Sequence, residues 1–424
     1  MRILLCHNYY RQRGGEDESF EAEATLLESR GHDVVRFVMH NNAIHDMSGW
    51  SAARKTLWNR DSYRRVSELI LEFRPEVMHC TNTFPLMSPA VYSAARRNGV
   101  PVVQALRNYR LLCPNALLFR DQRVCETCLG KAFSWPAIVH ACYRESRVAS
   151  AVVTLQNGVQ RLFGTWTRAV DRYFAPTEFT RRKFIESGFP AARFSVKPNF
   201  VFPDPGPCLE KGDYAVFVGR LTLEKGIETL LAAWQALPRN VPLKVIGEGP
   251  LSGRVRQAAA EDARIIALGQ LSAQEVLEVI GRAKLLVMPS LWYETFGRVI
   301  IEAFSRGTPV LASRLGAMSE IVTDGETGVL FEPGSSHDLV AQAVALFDNQ
   351  NRLLKMGECA RRDFELRFSA DRNYEILMGI YVAAGAANVC DLRRQDQDVL
   401  PEQTYEEDAL MNDLVDIGRG EPML

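Results

Sequence analysis

The feature that most constrains this chain is a repeated change of hydrophobic period. Short apolar runs that read as buried strands alternate with longer stretches of helical spacing. RILLC at residues 2–6 opens the series, and a polar loop over 7–15 ends in Gly14-Gly15. Residues 16–30 then show helical periodicity with acids in the first turn, and Gly31 closes the helix before DVVRFV. EVMHC, a helix near 88–98 and VPVVQAL repeat the unit. Strands alternating with helices imply a parallel sheet covered on both faces.

The stretch VFPDPGPCLEKGD, with three prolines and two glycines, interrupts this pattern. A second alternation follows it: YAVFVGRL, helix 226–236, LKVIG, helix 252–260, RIIALG, helix 273–281, LLVMP, helix 297–306 and PVLAS. The expected organisation is therefore α/β, with two doubly wound domains at 1–198 and 213–365 joined by a linker at 199–212. A leftover helix at 366–387 would pack back on the first domain. Residues 388–424 carry ten acids against three arginines and read as a solvated, disordered tail.

A length of 424 residues suits two domains. The net charge of −1 gives no reason to expect nucleic acid as a partner. No apolar run reaches the ~18 residues of a spanning helix, and the apolar start is too short for a signal peptide, so a cytoplasmic location is expected. Nine cysteines without a secretory signal suggest thiols or metal ligands rather than disulfides.

Ligands of open parallel sheets bind beyond the carboxyl ends of the strands. After YAVFV come Gly219-Arg220 and Lys225-Gly226, two cations in one loop. They suit a diphosphate clamp, against the plainer reading of two solvated surface charges. After LLVMP comes Glu294, then Thr295, Phe296 and Gly297 at the mouth of a helix, where unpaired amides favour anions. Glu302 lies two turns in among Ile300, Ile301, Ala303 and Phe304, where a carboxylate needs donors such as ribose hydroxyls. The plainer readings are a helix-capping acid for Glu294 and a solvated position for Glu302. Together the parts suit a nucleoside diphosphate sugar.

Cys113, Cys125, Cys128 and Cys142 form C-x11-C-x2-C-x13-C. Three readings stand: a closed structural zinc site, unligated thiols in a loop, or a redox role. ARKTLWNRDSYRR (53–65) mixes five cations with Trp58 and Tyr63, and residues 151–173 add Phe163, Trp166, Arg168 and Tyr173. Such segments either lie on an anionic membrane surface or anchor ordinary helices in the core.

The Glu294-x7-Glu302 motif, VGRL…K at 218–225 and the paired glycines near the start resemble the large retaining glycosyltransferase family 4, of GT-B fold, over roughly residues 1–385. NTFPLMSPAVYSAARRNGVPVVQ and NYRLLCPN resemble a bacterial subgroup linked to surface polysaccharide assembly. The resemblance implies two Rossmann-like domains facing across a cleft that holds the donor. Arg220 and Lys225 would neutralise the leaving diphosphate, Glu294 would contact the donor sugar and Glu302 the ribose. Gly14 and Gly15 would let the first-domain loop approach phosphate and acceptor. The acceptor would be a saccharide or lipid-linked saccharide, with peripheral contact at the inner face of the membrane. No metal is implied for the transfer step.

Relatives often carry a histidine where this chain has Arg107, and HxHNTFP where it has His79-Cys80-Thr81-Asn82. Arg107 and His79 are the acceptor-side candidates, His79 also reading as a structural strand-end residue. An arginine stays charged at neutral pH and cannot act as a base. The alternative to an active transferase is a donor-binding homologue without turnover. A nicotinamide enzyme or sugar-nucleotide epimerase is disfavoured, because no G-x-G-x-x-G follows the first strand.

Overall fold

A computed structural model of the protein describes residues 1–12 and 14–386. The expected acidic tail at 388–424 lies outside the described residues.

The first sheet contains β1 (Arg2–Tyr9), β2 (Asp33–His40), β3 (Val77–Cys80), β4 (Val102–Ala105), β7 (Arg172–Ala175) and β8 (Phe194–Val196). A small antiparallel hairpin, β5 (Phe119–Arg120) and β6 (Arg123–Val124), sits in the connection after β4. The second sheet contains β9 (Ala215–Val218), β10 (Leu243–Ile246), β11 (Ile265–Gly269), β12 (Leu285–Met288), β13 (Val310–Ser313) and β14 (Gly328–Phe331). The spatial orders are β2-β1-β3-β4-β7-β8 and β11-β10-β9-β12-β13-β14, with all neighbours parallel. Strand order reverses between β1 and β3 in one sheet and between β9 and β12 in the other. These switch points are where doubly wound sheets leave a crevice.

The short central strands β3, β4, β12 and β13 are buried at every position, as parallel strands covered on both faces must be. Helix ends use the caps their residues favour. Ser272 accepts from the Glu275 amide at 3.3 Å while Glu275 accepts from the Ser272 amide at 2.8 Å, a reciprocal capping box.

Several elements differ from the sequence expectation. Residues 7–9 continue β1 rather than starting the loop, because buried partners meet the His7 and Asn8 side chains, though His7 Nδ1 has none. His7 Nε2 meets Asp17 Oδ1 at 2.7 Å, and Asn8 Nδ2 donates to Asn41 Oδ1 at 2.7 Å. The basic segment 53–65 is not one helix. It breaks at Trp58-Asn59 between helices Gly49–Leu57 and Arg60–Phe73, with the Asn59 side chain capping the second. Trp166 and Tyr173 are buried in the first core, whereas Phe163 is exposed. Beyond residue 313 the chain adds β14 and helices Ser336–Phe347 and Gln350–Arg367. The final helix is Ala370–Ala384, separated from its predecessor by Phe368-Ser369, so residues 366 and 367 belong to the earlier helix.

That final helix leaves the second sheet and lies on the first. Leu377, Met378, Ile380 and Tyr381 share a core with Ile3, Leu5, Phe20 and Phe174. Buried Asn373 donates to the Pro198 carbonyl at 2.5 Å, where the chain first passes from one half to the other. The connecting segment is pinned to the second half: Arg361 grips Asp204 through two bonds of 2.8 and 2.7 Å, and Lys211 Nζ donates to the Gly281 carbonyl at 2.7 Å.

Leu377→Ala should remove ~2–5 kcal/mol, the usual range for a fully buried leucine. Denaturant titration reads the loss, and limited proteolysis should then cut first near residues 368–386. An unchanged midpoint would mean that the final helix adds nothing to the fold.

Candidate active site

The switch point of the second sheet brings two loops together. After β9 the chain passes Gly219, Arg220 and Lys225; after β12 it passes Ser290 and Glu294. Their close approach depends on glycine. Gly226 has φ +72°, and a Cβ there would lie 1.8 Å from the Pro289 carbonyl oxygen. Gly247, after β10, would meet the Gly219 carbonyl oxygen at 2.0 Å. A side chain at either position would push the loops apart.

Within this junction Lys225 Nζ donates to Glu294 Oε1 at 2.6 Å, and Ser290 Oγ donates to the same oxygen at 2.8 Å. Glu294 is buried, while its Oε2 makes no hydrogen bond among the described residues. One carboxylate oxygen is thus fixed and the other is left to accept. Lys225 also lies 5.4 Å from the Trp292 ring centroid. Arg220 is exposed and makes no ion pair among the described residues. A free guanidinium beside a paired ammonium, both at a strand's carboxyl end, can receive a doubly charged leaving group.

The helix Arg298–Ser305 begins at Gly297, which is left-handed at φ +81°. Phe296 is core, stacked edge-on to Phe368 with centroids 5.9 Å apart, so only its backbone can face a ligand. Glu302 is partly exposed, with Oε1 2.9 Å from Arg298 Nε. Arg298 Nη1 is buried without a hydrogen-bond acceptor, and Nε meets Glu302 as an ion pair out of line for a hydrogen bond. Arg298 is a donor group beside the site that sequence spacing passed over.

Thr295 takes an unexpected part. Its hydroxyl donates to the Arg107 carbonyl at 2.9 Å, and its carbonyl accepts from the Thr177 and Thr180 hydroxyls, each at 3.1 Å. Glu320 accepts from the Glu178 and Phe179 amides at 2.7 and 2.8 Å, capping a helix of the first half. These contacts join the chain beyond β12 to the chain beyond β4 and β7. The carboxyl ends of the two sheets therefore face each other.

The first half contributes the loop after β1. Asp17 holds it by accepting from the Gly14 amide at 3.1 Å and meeting His7 at 2.7 Å. A Cβ on Gly14 or Gly15 would meet nothing within 4 Å, so this backbone borders open space. Glu16 accepts from Tyr10 Oη at 2.7 Å and Asn108 Nδ2 at 3.0 Å, fixing the loop to the segment after β4.

The two acceptor-side candidates do not line this space. The Arg107 guanidinium turns inward, pairing with Glu23 at 2.6 Å and with Asn199. His79 Nδ1 meets Tyr381 Oη at 2.9 Å, and both residues are buried. Lys197 Nζ also pairs with Glu23. These residues form a closed ionic cluster under the site, and a buried cation with a carboxylate within reach turns to it rather than to solvent. The four cysteines Cys113, Cys125, Cys128 and Cys142 are free thiols lining one small pocket in the segment after β4.

Residues 14–199 match the family described as glycosyl transferase 4-like domain, and residues 205–363 match glycosyl transferases group 1, together more than three quarters of the chain. An uncharacterized 42.6 kDa protein in the cps region of Klebsiella pneumoniae is 26% identical over 357 residues, covering 76% of this chain and 87% of the relative. The glycogen synthase of Mycobacterium tuberculosis is 30% identical over 223 residues, 51% of each, so the chain matches about half of that enzyme's length. The crystal structure of Anabaena Alr3699/HepE in complex with UDP superposes with TM-score 0.63 at 18% identity, over 90% of this chain and 99% of that one. The architecture is GT-B: two Rossmann-like domains with parallel sheets.

The buried cluster sets a pH dependence. Burial pushes the Glu23 carboxyl up, but Arg107 and Lys197 outweigh it and hold the pKa near about 2 instead of 4.5. Burial pushes the His79 imidazole down from 6.5 to about 4. Both groups bind protons more weakly folded than unfolded, so acid favours unfolding. The His79 contribution is complete above 6.5 and lost as pH falls toward about 4. That of Glu23 is complete above 4.5 and lost toward about 2. Melting temperature should fall in two overlapping stages, and His79→Gln should flatten the upper one. Glu23→Gln strands two buried cations and should cost ~3–5 kcal/mol at neutral pH. A wild-type melting temperature that stays level down to pH ~4 would remove the His79 assignment.

Proposed function

The chain belongs to the glycosyltransferases that pair a 4-like domain with a group 1 domain in a GT-B fold, and from that premise we propose that it moves a sugar from a nucleoside diphosphate sugar to a saccharide or lipid-linked saccharide of a cell-surface polysaccharide, with retention at the anomeric carbon. The observation that carries this reading is the Lys225–Glu294 pair, 2.6 Å long, at the switch point of the second sheet, with Arg220 of the same loop in no ion pair among the described residues. The UDP in the Anabaena structure supports a nucleoside diphosphate donor, and the cps region of the Klebsiella relative supports polysaccharide synthesis.

In this mechanism Arg220 and Lys225 neutralise the diphosphate as the bond from the anomeric carbon to phosphate oxygen breaks. Lys225 is held toward the phosphates by Glu294. The open oxygen of Glu294 accepts from a hydroxyl of the donor sugar, and Glu302 accepts from the ribose. The amides of the Thr295-Phe296-Gly297 turn add their partial positive charge. The acceptor hydroxyl attacks from the face the diphosphate leaves, and its proton passes to the departing phosphate oxygen. Gly14 and Gly15 allow the first-half loop to close on phosphate and acceptor.

A lipid-linked acceptor fits a surface on the first half. Val148, Leu155 and Leu162 recur at one helical face of Arg147–Leu162, with Phe163 just beyond, and all four are exposed. Trp50, 89% exposed, stands on the adjoining helix Gly49–Leu57, which is tied to the first by Gln156 Nε2 donating to the Thr56 carbonyl at 2.8 Å. Arg54, Arg147 and Arg168 are exposed on the same group of helices. Apolar side chains ringed by cations suit the cytoplasmic face of an anionic membrane. No helix among the described residues is long and apolar enough to cross one.

A thermal-shift panel of UDP, GDP, ADP, dTDP and NADH tests the donor. One nucleoside diphosphate should stabilise the protein by ~2.7 kcal/mol at a hundred times its dissociation constant. Arg220→Ala should weaken that ligand by ~1–3 kcal/mol. Glu294→Gln should cut kcat by about 10²–10³, the scale of one lost transition-state contact. Proton NMR of the first product should show the donor's anomeric configuration. Stabilisation by NADH alone would sink the reading; an inverted product would sink its retaining part. For the membrane face, Trp50→Asp with Phe163→Asp should abolish co-sedimentation with phosphatidylglycerol vesicles. Equal sedimentation of variant and wild type would reject that surface.

A further inference from the structure

The segment between β4 and the helix Arg147–Leu162 is about forty residues long, yet holds only a two-by-two-residue hairpin and the four-residue helix Pro136–Val139. It contains Ala116, Leu118, Asp121, Gln122, Ala141, Arg144 and Glu145, seven of the nine described non-glycine residues with left-handed backbone. So little regular structure leaves few ladder bonds to hold so many unfavourable turns. The segment is nonetheless part of the site wall. Its Glu126 pairs with Lys183 at 2.8 Å beside Tyr293 of the donor loop, and its Asn108 bonds Glu16 at 3.0 Å.

We propose that Cys113, Cys125, Cys128 and Cys142 bind one structural zinc ion that staples this segment. All four cysteines line one pocket with Phe119 and Pro136, and among the described residues no carboxylate or histidine lines it. Four thiols with no oxygen ligand form a soft donor set that selects zinc over magnesium, calcium or manganese. Cys125 leaves the hairpin with its amide bonded to the Leu118 carbonyl at 2.8 Å, and the Leu129 amide closes the Cys-x-x-Cys turn on the Glu126 carbonyl at 3.0 Å. A hairpin followed by such a turn presents two sulfurs to one point. Arg120 also lines the pocket, with its guanidinium Nε donating to Asp121 Oδ2 at 3.1 Å. A zinc ion with four thiolates carries two net negative charges, and a guanidinium nearby offsets at most one of them.

As the side chains stand, no three metal-binding groups among the described residues are gathered as a metal centre. Two of the thiols are turned to local partners instead: Cys113 donates to Asn115 Oδ1 at 3.0 Å, and Cys125 meets Thr127 Oγ1 at 2.8 Å. Rotation about the Cα–Cβ bonds and loss of the thiol protons to solvent exchange the S–H bonds and these weak hydrogen bonds for zinc–sulfur bonds of about 2.3 Å. Four protein ligands leave no open position, so the ion takes no part in the transfer reaction, and the proposal stands apart from the assignment of donor and acceptor.

The test is metal analysis of the full chain purified without chelator from zinc-supplemented medium, with release by a mercurial thiol reagent followed colorimetrically. The expected result is about one zinc per chain, the stoichiometry of a four-cysteine site. Cys125→Ser with Cys128→Ser should lose it, whereas Cys208→Ser should keep it. Because the first variant can fail to fold, wild-type protein is also grown with cobalt. Tetrahedral thiolate coordination should then give strong visible d–d bands and near-ultraviolet sulfur-to-cobalt charge transfer. Zinc-free protein, full zinc retention in the folded double serine variant, an iron–sulfur chromophore, or a Cys125–Cys128 disulfide in the native protein would each overturn the proposal.

Discussion

One buried carboxylate holds much of this molecule in register. Glu23, on the first helix, pairs with Arg107 from the end of β4 and Lys197 from the end of β8, and lies 3.9 Å from His79 of β3. His79 in turn meets Tyr381 of the final helix. Burying a carboxylate costs several kcal/mol unless it is paired, and each cation here is equally costly alone. The group is therefore stable only as a set. The same Arg107 offers its carbonyl to Thr295 of the donor loop, so the ionic core of one half sets the position of the other half's site.

The active-site junction follows a related rule of shared constraint. Glycines at 226 and 247 let strand-end loops approach until backbone nearly touches backbone. Only then can Lys225 reach Glu294. The pair fixes an ammonium against a buried carboxylate before any ligand arrives. Preorganisation of this kind avoids reorienting dipoles during the reaction.

The alternation of strands and helices was legible because period and turn residues are local properties. So was the approach of Lys225 to Glu294, since each follows a strand that the pattern marks. The fate of Arg107 was not. Whether a strand-end arginine faces a ligand or a core depends on Glu23, 84 residues away, and on Asn199, 92 residues away. Spacing carries no record of such pairings. Thr295 was read as a ligand-binding amide, while its side chain and carbonyl span the two halves, with partners at Thr177 and Thr180 over a hundred residues distant. The final helix was visible as a surplus element without a strand to follow. Its starting residue was not, because Ser369 caps it by an N-terminal bond to the Arg372 amide that only the folded turn reveals.

The chain passes between the halves twice, once through the segment after Pro198 and once at Ser369, and Asn373 ties the second crossing to the first. The two crossings thus share one anchor, so a change at Asn373 is felt by both, while the Thr295–Arg107 and Glu320–Phe179 bonds join the halves independently of it.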